Sequence, residues 1–481
     1  MEIAPNIISI EYDPDSKYPE LAPFSPSEKY PEYPFSDVSA SRNPVYDQLR
    51  KLMLSLSLDS QNRGKENWNP LGEIIVPGNK VVIKPNWVRE TNPISEGIDG
   101  LVTHPALIRA IVDYAIIALK NDGEIIIGDA PIRSADFDIL KNRLKIQEIA
   151  DFYQTKTSVR ISVEDFRQEI RRYGKGGEVI FNKIFSDKEF VKVDLGDKSS
   201  LASVIRNFKK FRVTNYDPKK MSEFHGPGKN VYLIYKSVLD ADVVIQVPKL
   251  KTHRKAGLTC CLKNTVGINC SKDALVHHTK GSKWQGGDAY SEFNLLKWLN
   301  EEMYDLRESS KNTFFQKLLT KFIGLNETVI KRLFDNMVFE GSWYGNDTLW
   351  RMILDINMIL FFSDKNGRIN ESRQRKVMYF VDCIVGGENN GPLKPSDKQA
   401  GLLIAGWNPV LIDIAAAKMM GFDYRRIPVL LNALRSKLLD FNEDKMGESN
   451  LVVNGKSHGL SDLDLNLNFE PAIGWKNHIE I

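Results

Sequence analysis

Lysines, histidines and cysteines crowd into residues 241–290. Three of the seven histidines and three of the four cysteines fall there. The stretch runs from Ala-Asp-Val-Val-Ile-Gln-Val-Pro-Lys-Leu-Lys-Thr-His through Gly-Leu-Thr-Cys-Cys-Leu-Lys-Asn-Thr-Val-Gly to Val-His-His-Thr-Lys-Gly-Ser and Gly-Gly-Asp. Lys249 and Lys251 follow a strand, and Lys263 comes shortly after. A lysine ammonium is a compact point charge suited to phosphate or carboxylate. Lys263-Asn264-Thr265 before Gly267 resembles a loop-to-helix anion site, where backbone N–H groups also point at the ligand. His253, His277 and His278 titrate near neutrality and suit acid/base work or metal ligation. No spacing here fits a zinc pattern. In an extended chain His277 and His278 point opposite ways, so one ion cannot easily take both. Asp129, Asp288 and Glu388 are the carboxylates that could ligate a divalent metal. Adjacent Cys260 and Cys261, with Cys270 and distant Cys383, match none of the usual cluster-binding runs. An iron–sulfur cluster is therefore disfavoured, and buried small hydrophobes are the reading for these cysteines.

These residues must be held by strands and helices in alternation. Strands are expected at 81–84, 124–127, 243–247, 377–385 and 401–405, with a helix from Pro105 to Ala118 capped by Thr103. Further helices are expected at 43–58, 136–155, 291–340, 349–360 and 409–420, the last closed by Gly421. Two apolar strands joined by a helix make a βαβ unit and a parallel sheet. The fold class is α/β, with parallel or mixed sheets in two lobes and a helical insertion. The segments are an extended arm plus helix at 1–70, a lobe carrying the main site loops at 71–290, the helical insertion at 291–365, and a second α/β segment completing the cleft at 366–481. Asp347, Arg351 and Asp355, at i, i+4 spacing, read as an ion-pair ladder.

Composition excludes several classes. The chain has 481 residues, with Lys+Arg 65 against Asp+Glu 62, so no global charge draws it to nucleic acid. The basic stretch Arg206–Lys229 has no RNA-binding motif, and its aromatics read as core. Four cysteines suggest reduced thiols and a cytoplasmic setting. The start Met-Glu-Ile-Ala-Pro has no signal-peptide character, and no apolar run reaches the roughly 20 residues of a membrane span. No membrane partner is expected.

From Lys80 to about Pro428 the chain resembles the family called domain of unknown function 362. The resemblance rests on Val-Ile-Lys-Pro-Asn at 82–86, Thr-His-Pro at 103–105, Gly-Asp-Ala-Pro at 128–131 and Pro-Lys-Leu-Lys-Thr-His at 248–253. Leu-Lys-Asn at 262–264, Val-His-His at 276–278, Gly-Gly-Asp at 286–288, Asn-Asp-Thr-Leu-Trp-Arg at 346–351 and Gly-Glu-Asn-Asn-Gly-Pro at 387–392 continue it. Some members carry ferredoxin-like domains, but this chain shows no such cysteine run. The order strand, Lys-x-Lys-x-His, Gly, Lys is also similar to the N-terminal domain of nickel-pincer lactate racemases. That likeness implies that His253 and Lys263 sit where the cofactor is held, with the further histidine near His277 or His278. The racemase Gly-Gly-Arg-Lys is replaced by Thr-Cys-Cys-Leu-Lys-Asn, so the nickel cofactor does not carry over with it.

The expectation is an enzyme acting on a small anionic or polyhydroxylated substrate in an inter-lobe cleft, by proton or hydride transfer at a hydroxyl-bearing carbon. His253, Lys263, His277 and His278 are the catalytic candidates. Lys84, Asn86, His104, Lys249, Lys251, Asn264 and Asn390 are the substrate-binding ones. The alternative is a metal- or ligand-sensing module using the same cleft.

Overall fold

A computed structural model describes residues 6–185, 189–213, 216–334, 338–436 and 441–481. Its frame is one mixed sheet of 11 strands. In chain order these are β1 (Ile7–Tyr12), β2 (Lys80–Pro85), β3 (Glu124–Asp129), β4 (Arg160–Asp165), β5 (Val243–Val247), β6 (Lys249–His253), β7 (Gly257–Thr259), β8 (Lys376–Asn390), β9 (Lys394–Gly406), β10 (Asn450–Val453) and β11 (Lys456–Gly459). Across the sheet the order is β11-β10-β1-β9-β8-β5-β2-β3-β4, and β6 pairs with β7 and β8. Strands β8, β5, β2, β3 and β4 are mutually parallel. β8 and β9 form a long antiparallel hairpin.

Helices cover both faces, which is why the central strands read as unbroken apolar runs. Alternate residues feed two separate cores. Val81, Ile83, Ile125, Val243, Ile245 and Phe380 pack with α1 (Pro44–Ser55), α2 (Pro105–Leu119), α3 (Phe137–Leu144) and α4 (Ile146–Gln154). Val82, Ile126, Val244, Tyr379 and Val381 pack on the other face with α5 (Cys261–Asn264), α8 (Leu349–Phe362) and α9 (Pro409–Met420). Between α5 and α8 come α6 (Leu295–Ser309) and α7 (Thr313–Leu333), a helical pair standing off the sheet.

Three local expectations are corrected. The single helix expected at 136–155 is two, because Lys145 adopts a left-handed φ of 50° between α3 and α4. The cap of α2 is His104, whose Nδ1 accepts from Ala106 N–H at 3.2 Å. Thr103 instead accepts from Asn86 N–H and donates to Val247 O, tying β2 to β5. Asp347 and Arg351 do pair, at 2.8 Å. Asp355, however, turns into the core and accepts from Ser200 N–H and Tyr232 O–H, so the ladder has two members.

Candidate functional site: a lysine-lined cleft

The parity that sends Val82 and Val244 toward the α5 face also sends Lys84 and Gln246 there, at the carboxyl ends of β2 and β5. Open α/β sheets bind their ligands at such ends. Both side chains are fully buried. Lys84 Nζ lies 2.9 Å from Asp129 Oδ1, at the end of β3. It also donates to Pro85 O at 2.7 Å and to Asn264 Oδ1 at 3.0 Å. Trp87 N–H donates to the second Asp129 oxygen at 2.6 Å. Asn264 is locked in turn, donating to Gln246 Oε1 at 2.6 Å and accepting from the Asn86 amide at 3.1 Å. Helix α5 carries Lys263 and Asn264. It is held from below by Asp413 of α9, whose two oxygens accept the N–H groups of Cys261 and Leu262 at 2.7 and 3.0 Å. Gly267 has to be glycine, since a Cβ there would sit 2.0 Å from Asp129 Oδ1 and 2.5 Å from Lys84 Nζ.

Above this network opens a cleft of about 210 Å³. Lys84, Lys251, Lys255, Lys263 and Lys272 line it with Arg254, His253 and His277, against Asp129 as the sole lining carboxylate among the described residues. Trp87, Val88, Pro131, Ile132, Leu275 and Leu393 form apolar walls. Such a ratio disfavours every protonated lysine. Burial, then the neighbouring Lys272 and Lys84, push Lys263 down to about 7. Burial brings Lys255 to about 7 and Lys272 to about 8. Lys251, which donates to Leu101 O, falls well below the ordinary lysine range through burial and the nearby Lys249 and Lys263. The Asn86 Oδ1 and Thr259 Oγ1 atoms are buried in the lining without a protein hydrogen-bond partner. A surplus of desolvated cations is what an anion would relieve, and the unpartnered Thr259 hydroxyl can donate to it, while Asn86 Oδ1, an acceptor, calls for a donor such as a substrate hydroxyl.

The two cleft histidines are held in opposite tautomers. His253 Nδ1 accepts the N–H groups of Lys255 and Ala256, both at 3.1 Å, so its proton is on Nε2. His277 Nδ1 donates to Leu275 O at 2.8 Å, which leaves Nε2 with a lone pair. Burial first, and the cationic neighbours second, hold both well below the usual histidine pKa, so both are neutral near pH 7. One is a donor and the other an acceptor.

Of the residues singled out in the sequence, Lys84, Asn86, Asp129, Lys251, His253, Lys263, Asn264 and His277 meet in this cleft. Six others lie elsewhere. Lys249 is fully buried against Asp382 at 2.7 Å, with Tyr18 O–H and Val385 O as further partners. His104 caps α2 and stacks on Tyr18 at 3.9 Å. His278 faces away from His277, into a neighbouring hollow with Arg212 and Tyr304. Asp288 accepts from Thr279 N–H, Asp347 N–H and Thr348 O–H. Glu388 accepts from Glu470 N–H and lies 3.5 Å from Lys398. Asn390 is exposed at the tip of the β8–β9 hairpin, opposite Lys394. The three carboxylates considered for a metal are thus all engaged by protein donors, and the cleft's charge does not fit a cation. Cys260 and Cys261 have their sulfurs 3.9 Å apart beside Asp413, under α5, where burial raises the Cys260 thiol to about 12. Sequence reasoning missed Lys255, Lys272, Trp87 and Thr259, while Gly267, which it placed in the anion loop, proves to be required by the close approach of Asp129 and Lys84. Lys255 continues the alternation Lys251, His253, Lys255 and was open to notice; nothing in the sequence marked Lys272.

Two outcomes follow from these placements. Lys249→Met should lower stability by about 3–5 kcal/mol, because it leaves the buried Asp382 carboxylate, still accepting from Tyr18 O–H and His104 N–H, without its cation; urea unfolding measures this. The cleft lysines act through pH. Lys263 and Lys255 titrate near 7 in the folded chain, against an ordinary value of 10.5. Between those values the unfolded chain binds more protons, so stability should rise with pH across that window. Asp288, Asp355 and Asp413, raised to about 6, act only below it. The urea midpoint should therefore increase from pH 7 to about pH 8.5 without ligand, above which the four buried thiols, raised by burial in the folded chain, oppose the rise; saturating phosphate should flatten or reverse the slope.

Fold and cleft together define an α/β protein with a cationic pocket at the carboxyl ends of its strands. The chain belongs to the family described as domain of unknown function (DUF362), whose model matches residues 81–196 and 197–418. A search among curated proteins finds no match. A crystal structure of a Thermotoga maritima protein from a structural genomics consortium is similar at 10% identity with a TM-score of 0.30. The match covers 74% of this chain and 55% of that one. The chain thus spans little more than half of that protein's length, and the likeness is too distant to carry an argument.

Proposed function

We propose that this chain is an enzyme that binds a small anion over the lysine floor and moves a proton between the substrate and the pair His253/His277. The observation carrying the proposal is the opposite tautomers of two neutral histidines in one cationic cleft. His277 Nε2 can accept a proton, and His253 Nε2–H can donate one or hydrogen-bond a developing oxyanion. The ammonium groups of Lys263 and Lys255 hold a phosphate or carboxylate, and negative charge that develops next to it is stabilised by the same groups. Abstraction of a proton from a hydroxyl-bearing carbon is the reaction class that suits this arrangement. The free, buried state of Cys260, Cys261, Cys270 and Cys383 supports a reducing, cytoplasmic setting.

Incubating the purified protein in heavy water with a panel of 2-hydroxy acids, sugar phosphates and neutral sugars tests this. Incorporation of deuterium at carbon into anionic members, detected by NMR, is the expected result. Tight binding of an anion with no exchange and no turnover would instead make the chain a ligand-binding module.

A further inference from the structure

Helix α7 carries an apolar face that the fold does not use. At 100° per residue, Phe314, Leu318, Phe322, Leu325 and Val329 fall on one stripe roughly 100° wide. All are exposed, Phe314 at 74% and Leu325 at 64%. The adjoining stripe of Leu319, Ile323 and Ile330 is buried. On that side α6 packs, with Asn326 donating to Leu296 O and Tyr304 O–H donating to Glu327. The outer stripe is therefore surplus to the helical pair. Leu295, Leu299 and Leu306 add a second exposed row on α6. Beside α7 lies the turn of a small hairpin, with Lys317 3.3 Å from Glu178, and its strands expose Ile180, Phe181 and Ile184. Contiguous apolar surface of this kind marks an interaction site.

We propose that this face docks in the plane of an anionic lipid bilayer. The charge on α7 selects that occupant. Lys317, Lys321, Lys331 and Arg332 against Glu327 leave α7 at +3, whereas α6 stands at −2 with Lys297 and Arg307 against Glu301, Glu302, Asp305 and Glu308. The basic charge therefore lies along α7, where Lys321 and Arg332 border the apolar stripe on the helical wheel. Apolar rings flanked by long basic side chains suit a membrane interface, where the rings enter the acyl boundary and the cations meet lipid phosphates. A second copy of the chain would bring two such helices together, and their like charges would oppose it. The helix is about 30 Å long at 1.5 Å per residue, and no helix among the described residues is long and apolar enough to cross a membrane. It therefore lies on the surface. This runs against the expectation of no membrane partner, because a search for continuous apolar runs passes over a stripe.

Full-length protein is to be sedimented with vesicles of phosphatidylcholine alone, or of phosphatidylcholine with one third phosphatidylglycerol. Binding to the anionic vesicles should be at least about tenfold tighter and should weaken with salt. Phe322→Ser/Leu325→Ser should reduce it about tenfold or more. Lys321→Glu/Arg332→Glu should remove the preference for anionic lipid. Both pairs are on the surface, so an unchanged melting curve and unchanged phosphate affinity are expected controls. Equal partition with and without anionic lipid, or binding indifferent to both variants, would overturn the proposal. So would a wild-type dimer by light scattering that Phe322→Ser/Leu325→Ser turns into monomer, which would give this face to a second copy.

Discussion

Lys263→Met should leave the fold intact and weaken binding of phosphate or a small carboxylate by about 10–100-fold. Lys263 sits on the short helix α5, half-buried at the cleft floor, and no ion pair or hydrogen bond from the described residues meets its ammonium. Its pKa of about 7 records that isolation. Burial opposes the charge first, and Lys272 and Lys84 oppose it next. A group held against its own solvation is not stabilising the empty protein, so removing the charge while keeping the apolar stem should leave the urea midpoint unchanged or slightly higher. A bound anion makes a charge-assisted hydrogen bond with it, worth about 1.5–3 kcal/mol, and that energy sets the expected loss in affinity. Lys263→Arg should also fail. The guanidinium is larger and planar, and cannot shed its proton to sit in the empty cleft. Isothermal titration with phosphate, alongside urea unfolding, reads both quantities. A collapse in stability with affinity unchanged would make Lys263 a structural residue and refute the site.

The parts of this architecture that the sequence discloses are those whose cause is local. Strands β2, β3 and β5 are buried on both faces, and so they appear as Val-Val-Ile, Ile-Ile-Ile and Val-Val-Ile-Gln-Val. Helix α9 announces itself by Pro409 in its first turn and by Gly421 at φ 84° after its end. Strand β1 is different. Ile7–Tyr12 reads as part of an extended arm, yet it pairs antiparallel with β9, so that Ile8 meets Gly406, and parallel with β10. Nothing within a few residues of Ile8 encodes partners some 400 positions away. The same contrast runs through the site. Alternation places Lys84 and Gln246 on the cleft face and separates His277 from His278. It fails for Lys249 and Lys251, which have the same parity but different fates. The register of β6 against β8 shifts between them, with Lys249 opposite Asp382 and Lys251 opposite Gly387. That irregularity sends one lysine to a buried carboxylate and the other into the cleft. The second lysine of the motif thus belongs to the candidate site and the first to the scaffold.

His277→Gln should lower turnover of the anionic substrate by about 10²–10⁴-fold, the usual contribution of a positioned general base, while leaving its dissociation constant within about twofold. The glutamine amide can still donate to Leu275 O where His277 Nδ1 now does, so the loop need not move. What is lost is the Nε2 lone pair facing the cleft. His253→Gln separates the roles. Its ring is fixed by two backbone N–H groups, and its Nε2–H donates, so the substitution should cost less in deuterium exchange than the loss of the base. The pH profile adds a check independent of rate. His277 is held well below its ordinary pKa by burial and by Lys255 and Lys263, so it should not limit the acid side near neutrality. Lys263 and Lys255 are near 7 and Lys272 near 8 when the cleft is empty. Substrate binding should therefore weaken as pH rises through 7–8, and wild-type kcat/KM should fall with it. In His277→Gln the residual kcat/KM should keep that same alkaline decline, because the lysines that hold the anion are untouched. A mutant that lost affinity instead of rate, or whose alkaline limb moved, would place His277 among the anion ligands and leave the proton to another group.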